Sequence, residues 1–186
     1  YVFTRLEFKG RNIVFILYLS TMMIPITVRL IPSYNLCRNL NMLDTYMGMI
    51  LPQVAWSIPF GTFLMRQFYM GIPKQLDEAA KIDGANHFQI FWKILLPNTK
   101  SSMATLGIYT FISAWNNLIW MLLSVRSESK WTVTLGISSI CGASVIKQPT
   151  WNLIMGVIVI GMIPVLILFF AFQKYFMQSV AATGIK

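Results

Sequence analysis

The chain has 186 residues, of which 56% are hydrophobic and 11% are charged, and its mean hydropathy is +0.62. Soluble domains carry charge on about a quarter of their residues, so this composition argues against an ordinary soluble enzyme and favours a membrane protein. One His and two distant cysteines exclude a zinc site of the usual spacing. The net charge of +9 would also suit a nucleic-acid-binding protein, so the placement of the charges must decide.

Four long uncharged stretches predict an all-α, polytopic transmembrane protein with one domain, residues 1–186. A helix needs about 20 apolar residues to cross a hydrocarbon core of about 30 Å. Three stretches are long enough, and the first, residues 12–28, is at the short limit. The predicted spans cover residues 12–31, 45–69, 101–125 and 151–176.

The chain before the third predicted span contains a basic segment and a proline-containing helix. Residues 1–11 are amphipathic and basic, which suits the inner membrane surface. The second span contains Pro52 and Pro59, and because each proline frees a backbone carbonyl, we predict a kinked helix. Such a kink fits either a position beside a translocation path or ordinary packing strain.

The connection between the third and fourth spans, residues 126–150, is too polar for a fifth span and has room for a short re-entrant or surface helix. Cys37 and Cys141 both fall in predicted outer connections. A disulfide between them is therefore geometrically possible, and two unpaired thiols are the favoured alternative.

Positive charges are distributed unequally between the two sides of the predicted spans. With the start of the chain inside, ten Lys and Arg residues lie on the inner side and five on the outer side. Inner loops of membrane proteins carry such an excess. The basic charge therefore indicates this orientation and needs no nucleic-acid partner.

The inner connection, residues 70–100, is predicted to contain two short helices joined by a tight turn. Pro73 suits the first turn of a helix. Asp77 and Glu78 follow where the positive end of the helix dipole favours carboxylates. Gly84 suits the left-handed conformation that ends a helix.

A second short helix is expected over residues 87–95, before Pro97 breaks the chain into the third span. Two helices that project in this way suit a groove of a partner protein. The small side chains of Ala79 and Ala80 would let a partner backbone approach, and Ile82 would add apolar contact. A hairpin that only joins two spans would have the same composition, so the residues alone leave both interpretations open.

The inner connection also carries a motif: E-A-A, three residues, Gly, nine residues and I-x-L-P. This spacing resembles the cytoplasmic EAA loop of ABC importer permeases. The segments FISAWNNLIWMLL, TVTLGISS and FFAFQKYFMQSVAATGIK are similar to carbohydrate-uptake permeases of the maltose-transporter type. The residues that this resemblance assigns to ATPase coupling are Glu78, Ala79, Ala80, Asp83, Gly84, Ile94, Leu96 and Pro97.

The resemblance implies a type I importer fold, in which the EAA loop forms a coupling helix in a cleft of a cytoplasmic ATPase. It also implies a second permease subunit, an ATPase dimer, an extracellular or periplasmic solute-binding protein and the cytoplasmic membrane of a prokaryote. The chain has no G-x-x-x-x-G-K-[ST] motif, so ATP and Mg are expected on the partner ATPase. We predict no catalytic, cofactor or metal site in this chain.

The chain departs from the family pattern at two positions and in its number of spans. Gln75 stands where the family usually has Glu, and Asn117 stands where an acidic residue is common. Neither change affects Glu78 or Gly84. Because the family has six spans, we expect the two missing spans to precede Tyr1.

Polar and aromatic residues within the spans are the candidates for solute contact, because sugars bind to aromatic faces and side-chain amides and because polar groups at membrane depth are costly. These candidates are Gln53, Trp56, Trp115, Asn116 and Asn117. Asn116 and Asn117 would serve equally well as hydrogen-bonding groups between helices. The resulting prediction is a permease subunit that imports a sugar or oligosaccharide.

Two alternatives stay open at this point. The nearer one is the same type of permease for a polyamine, phosphate or an amino acid. The other is a membrane enzyme or an ion channel, which fits poorly because no predicted span contains Asp, Glu or His.

Overall fold

The computed structural model describes residues 1–147 and 151–183, with side chains described for residues 1–142 and 151–173. Every regular element in these ranges is helical, which confirms the predicted all-α class. Residues 148–150 of the predicted outer connection and Lys186 lie outside the described residues. The α-helices are α1 (Val2–Arg5), α2 (Arg11–Ser20), α3 (Ile26–Asn39), α4 (Tyr46–Met70), α5 (Gln75–Ile82), α6 (His87–Gln89), α7 (Leu96–Asn98), α8 (Lys100–Trp115), α9 (Leu118–Ser124), α10 (Val133–Lys147) and α11 (Trp151–Thr183).

Helices α4 and α11 are long and apolar enough to cross a membrane without a break, over Tyr46–Met70 and Trp151–Gln173. They coincide with the predicted second and fourth spans. Helix α4 continues through Pro52 and Pro59 as a single element, so the kink expected there stays a prediction.

The predicted first and third spans are each divided into two helices. Helix α2, with the 3-10 turn after it, meets α3 at 95°, and α8 meets α9 at 54°. Pro25 accounts for the first break, because it has no N–H to donate and its backbone is extended (φ −55°, ψ 143°). The described residues therefore contain four helices or bent helix pairs long and apolar enough to span a membrane only if each bent pair is counted as one span.

The described residues group into two compact units. Unit 1 includes Tyr1–Met23 and Ser57–Gly107, and unit 2 includes Ile24–Trp56 and Ile108–Gln173. That residues 1–186 act as one domain stays a prediction.

The core of unit 2 surrounds Trp120, which is fully buried. Its indole N–H donates to the carbonyl oxygen of Gly48 at 3.0 Å. The ring of Trp56 packs edge-on against it, with the ring centroids 5.3 Å apart. Cys37, in the same core, and Cys141 are both free thiols, so they do not form the disulfide considered from their positions.

Asp44 fastens the connection between α9 and α10 to the turn before α4, within unit 2. Its carboxylate accepts hydrogen bonds from the N–H groups of Arg126 and Ser127, both at 3.0 Å, and from the Ser127 hydroxyl at 2.5 Å. Lys130 Nζ lies 3.4 Å from the same carboxylate. We call these four residues the Asp44 cluster. The hydrogen bonds, that from the Ser127 hydroxyl first, hold the pKa of Asp44 well below its usual range.

Candidate functional site

The connection between α4 and α8 forms a projecting hairpin, which we call the Gly84 loop, residues 75–98. Its first arm is α5, which begins two residues after Pro73. Asp77 and Glu78 lie in the first turn of α5, as predicted. The Asp77 N–H donates to the Lys74 carbonyl at 2.9 Å, so the helical hydrogen bonds start directly after the proline.

Gly84 ends α5 in the predicted left-handed conformation, with φ +81°. The Gly84 N–H donates to the Lys81 carbonyl at 3.0 Å, and the Ala85 N–H donates to the Ala80 carbonyl at 2.9 Å. These two bonds form the Schellman arrangement that closes many helices. A Cβ at Gly84 would meet nothing within 4 Å, so backbone conformation, and not lack of space, favours glycine here.

The second arm begins with a side-chain cap of helix α6, which was not predicted. Asn86 Oδ1 accepts a hydrogen bond from the Gln89 N–H, and the Asn86 N–H donates to Gln89 Oε1, both at 2.8 Å. This reciprocal pair is a capping box, and the N-x-x-Q spacing was its sequence signal. After α6, residues Ile90–Leu95 form a π-helical segment.

Pro97 does not break the second arm where the sequence predicts. It lies inside the short helix α7, and the break before α8 falls at Thr99 (φ −111°, ψ 20°). The Asn98 side-chain amide donates to the Ile94 carbonyl at 2.7 Å, and the Thr99 hydroxyl donates to the Leu95 carbonyl at 3.1 Å. Pro97 lies at the start of α7, where a missing N–H is tolerated, so the helical path continues past the proline.

The two arms of the Gly84 loop share one small core in unit 1. Ala80 lies in it beside Tyr69, Ile90 and Leu95. Because Ala80 is only 7% exposed, its methyl group faces this core and not a partner. This corrects the expectation that both alanines admit a partner backbone; only Ala79 is exposed.

The outer surface of the Gly84 loop is centred on Ile82, which is 87% exposed. Glu78 and Asp83 are also exposed. Of the motif residues in the second arm, Ile94 and Leu96 are half-buried and Pro97 is exposed. Ile82 is thus the most exposed of the large apolar side chains in the described residues, and it lies next to the exposed Asp83.

A buried ion pair, which the sequence patterns did not predict, lies beneath this surface. Arg5 Nε lies 2.9 Å from Asp77 Oδ2, and the two side chains are 5% and 10% exposed. Arg5 Nη2 also donates to the Ile72 carbonyl at 2.8 Å. No local sequence signal pairs Arg5 with Asp77, which lie 72 positions apart.

Two of the solute-path candidates lie on α4. Gln53 is half-buried. Trp56 is half-buried against Trp120, and Arg29 Cζ lies 5.7 Å from the centroid of the Trp56 ring. Trp56 thus packs at the edge of the core of unit 2, Arg29 adds a cation that the candidate set did not include, and solute contact by Trp56 stays a prediction.

The other three candidates lie at the break between α8 and α9. Trp115 stacks on Phe111 with the ring centroids 5.5 Å apart, and its carbonyl accepts a hydrogen bond from the Thr134 hydroxyl at 2.5 Å. Asn117 Oδ1 accepts the N–H three residues later at 3.3 Å and thereby caps α9. Asn116 is exposed. Asn117 thus has a structural role at the bend, and solute contact by these residues stays a prediction.

The chain matches known transport proteins along almost its whole length. Residues 2–182 match the family described as binding-protein-dependent transport system inner membrane component. The chain is 34% identical over 180 residues to the arabinooligosaccharides transport system permease protein AraQ of Bacillus subtilis strain 168, covering 97% of this chain and 62% of that protein. It is 38% identical over 180 residues to the sn-glycerol-3-phosphate transport system permease protein UgpE of Yersinia pestis, covering 96% and 63%.

A solved structure is also similar. A chain in the crystal structure of a bacterial ABC transporter involved in the import of the acidic polysaccharide alginate superposes with a TM-score of 0.77 at 27% identity. The match covers 94% of this chain and 65% of that one. The chain therefore spans less than two thirds of the length of the relatives reported above.

Proposed function

Because the chain belongs to the family of binding-protein-dependent transport system inner membrane components, we propose that it forms the membrane-spanning part of a permease subunit that imports a sugar or oligosaccharide. The expected location is the cytoplasmic membrane of a prokaryote. The expected partners are a second permease subunit, a cytoplasmic ABC ATPase dimer that binds ATP and Mg, and an extracellular or periplasmic solute-binding protein.

The observation that carries this proposal is the geometry of the Gly84 loop. Its core holds Ala80 on the inner side, while Ile82 stands 87% exposed at the tip of α5 with Glu78 and Asp83 near it. Burying one such aliphatic side chain in a cleft contributes about 1.5–3 kcal/mol. Phe88 and Trp92 of the second arm are exposed as well, and a projection with exposed apolar side chains suits the transfer of movement from an ATPase to the membrane helices.

The mechanism then follows from differential binding. ATP binding closes the ATPase dimer, the closure moves the Gly84 loops of the two permease subunits, and the attached spans change from an inward-open to an outward-open arrangement. The solute-binding protein delivers the sugar to the outward-open state. ATP has to bind more tightly to that state for the cycle to run in this direction.

A second candidate substrate is an anionic solute. One similar protein is named for sn-glycerol 3-phosphate transport and another for an acidic polysaccharide. Arg29 beside Trp56 offers a cation and an aromatic face, and a phosphate or carboxylate on a sugar-like solute would bind to such a pair.

Uptake measurements in a strain that lacks the complete gene test the proposal. We expect loss of uptake of one labelled saccharide or sugar phosphate, restored by the wild-type gene but not by Gly84→Val, because a β-branched residue is strongly disfavoured at φ +81°. Loss of uptake confined to an amino acid, a polyamine or an inorganic ion would contradict the sugar assignment.

A cysteine at the tip of the loop tests the coupling role. Ile82→Cys suits this purpose because Ile82 is 87% exposed, whereas Ala80 is buried. We expect membrane-impermeant thiol reagents to label it from the cytoplasm only, and a short thiol cross-linker to join it to the ATPase. Labelling from outside would show that the predicted orientation is wrong.

A further inference from the structure

The segment Tyr1–Leu6 lies against both arms of the Gly84 loop and against two other helices of unit 1. It contains α1 and the buried Arg5. We propose that Arg5 is a positioning residue for energy coupling: its pairing with Asp77 joins α5 to the Tyr1–Leu6 segment, which passes the movement of the loop on to α2. This inference rests on the proposed role of the Gly84 loop in ATPase coupling.

Arg5 contacts the loop at two points. Its Nε lies 2.9 Å from the Asp77 carboxylate in α5, and its Nη2 donates to the Ile72 carbonyl, 2.8 Å away, where the chain leaves α4. One guanidinium therefore fixes the distance between the end of α4 and the first turn of α5. The guanidinium holds the Ile72 carbonyl by a hydrogen bond and the Asp77 carboxylate by its charge.

Tyr1 contacts the second arm of the loop. Its hydroxyl lies 2.8 Å from His87 Nδ1, and its ring packs against Phe91 with the ring centroids 5.8 Å apart. Burial, and then the negative charge of Asp77, raise the pKa of the Tyr1 phenol. Both arms of the loop thus rest on the same short segment.

Phe3 connects the segment to α2 and α4. Its ring packs against Phe15 and Tyr18 of α2, at centroid distances of 5.3 and 6.5 Å. Its carbonyl accepts a hydrogen bond from Arg66 Nε of α4 at 3.3 Å, and the Arg66 guanidinium lies 4.3 Å from the Phe15 ring centroid. The contacts from Asp77 through Arg5 and Phe3 to Phe15 are continuous, so α5 is joined to α2 by a route that does not pass through α4 or α8.

A buried ion pair is a poor choice if stability alone is required. Removing two charges from water costs about as much as their attraction returns, and apolar pairs of similar size often serve stability better. Asp77 Oδ1 and Arg5 Nε are both buried with no hydrogen-bond partner among the described residues, so the pair is held by charge and not by a hydrogen bond. What the pair does supply is a close contact between α5 and the Tyr1–Leu6 segment, with the two atoms 2.9 Å apart, which is what a positioning role requires.

The decisive experiment uses the complete transporter, reconstituted in vesicles with its partner permease, ATPase and solute-binding protein. The main variant is the double substitution Arg5→Met with Asp77→Leu, which keeps the site buried and removes the polar link. We expect normal co-purification of the ATPase and continued ATP hydrolysis, but a fall in solute transported per ATP of at least about fivefold, the lower end of typical couplings between sites.

The matched control is Glu7→Gln, which removes an exposed carboxylate one residue beyond the segment and should leave the ratio of solute to ATP unchanged. The charge exchange Arg5→Asp with Asp77→Arg should restore part of the ratio that Asp77→Asn alone loses. A wild-type ratio in the Met/Leu double variant would overturn the positioning role. Failure of Ile82→Cys to cross-link to the ATPase in the otherwise wild-type transporter would overturn the proposed function itself, and this inference with it.

Discussion

Two aspartates show how differently one residue type is used in the two units. Asp77 in unit 1 is buried, faces a single guanidinium and has one oxygen without a hydrogen-bond partner in the described part of the chain. Asp44 in unit 2 accepts three hydrogen bonds from Arg126 and Ser127 and has Lys130 beside it. Loss of the one partner of a buried charge destabilises the fold strongly. A charge in a connection that has several hydrogen-bond donors holds that connection without dependence on any one of them.

Neutralising Asp77 is expected to have the largest effect. Asp77→Asn leaves the Arg5 guanidinium buried without a counter-charge, so we expect the free energy of unfolding to fall by about 3–5 kcal/mol. Chemical unfolding of the purified complex measures this. The control is Glu78→Gln in the same helical turn, where loss of an exposed charge near the helix start should cost less than about 1 kcal/mol. Equal losses in both variants would remove the contrast between buried and exposed carboxylates.

Substitutions at Gly84 test the contribution of the backbone conformation. Gly84 in unit 1 and Asp44 in unit 2 both have left-handed conformations, with φ +81° and +57°. Gly84→Ala should cost about 1–2 kcal/mol, since a Cβ is disfavoured there, and Gly84→Asn should cost less. The control is Gly10→Ala, which has the same φ of +81° and open space around it. Both Ala variants should lose similar stability, and only Gly84→Ala should lower solute transported per ATP. Equal transport losses would mean that strain, and not loop direction, is responsible.

The smallest effect is expected at Asp44. Asparagine tolerates the left-handed backbone at position 44, but Asp44→Asn weakens the hydrogen bonds from the N–H groups of Arg126 and Ser127. Hydrogen exchange at these two N–H groups should therefore accelerate about two- to tenfold. Because the pKa of Asp44 is lowered in the folded chain, its contribution is complete above the ordinary pKa of about 3.9 and is lost as the pH falls through the lower folded value. After correction for intrinsic exchange rates, the difference in exchange rate between wild type and Asp44→Asn should therefore stay constant from about pH 5 to about pH 8. A difference that disappears within this range would contradict the low pKa.

The parts of the fold that depend on local signals were predictable from the sequence. The uncharged stretches located α4 and α11, and the acidic first turn and Gly84 located both ends of α5. The N-x-x-Q pair at Asn86 and Gln89, which forms the capping box, is also a local signal.

The parts that depend on contacts between distant residues were not predictable. Arg5 and Asp77 are 72 positions apart in the printed sequence, and nothing near either residue identifies the other. The same holds for Asp44 and the connection after α9. Helices α8 and α9 meet at 54°, and Asn117 caps the start of α9. The apolar residues on both sides of Asn117 also suit one continuous helix, so the sequence alone did not predict the bend.

The π-helical segment Ile90–Leu95 has a consequence for how relatives should be compared. Its hydrogen bonds join residues five apart, so Ile90 and Leu95 lie on the same side of the segment, and both are fully buried. In an α-helix, residues five apart point about 140° away from each other. Deleting one residue between them would restore α-helical geometry with the same two side chains in the core. A one-residue gap at this place in an alignment therefore marks a change from π-helix to α-helix in which the core is kept. The spacing of nine residues between Gly84 and Ile94 includes the first part of this π-helical segment.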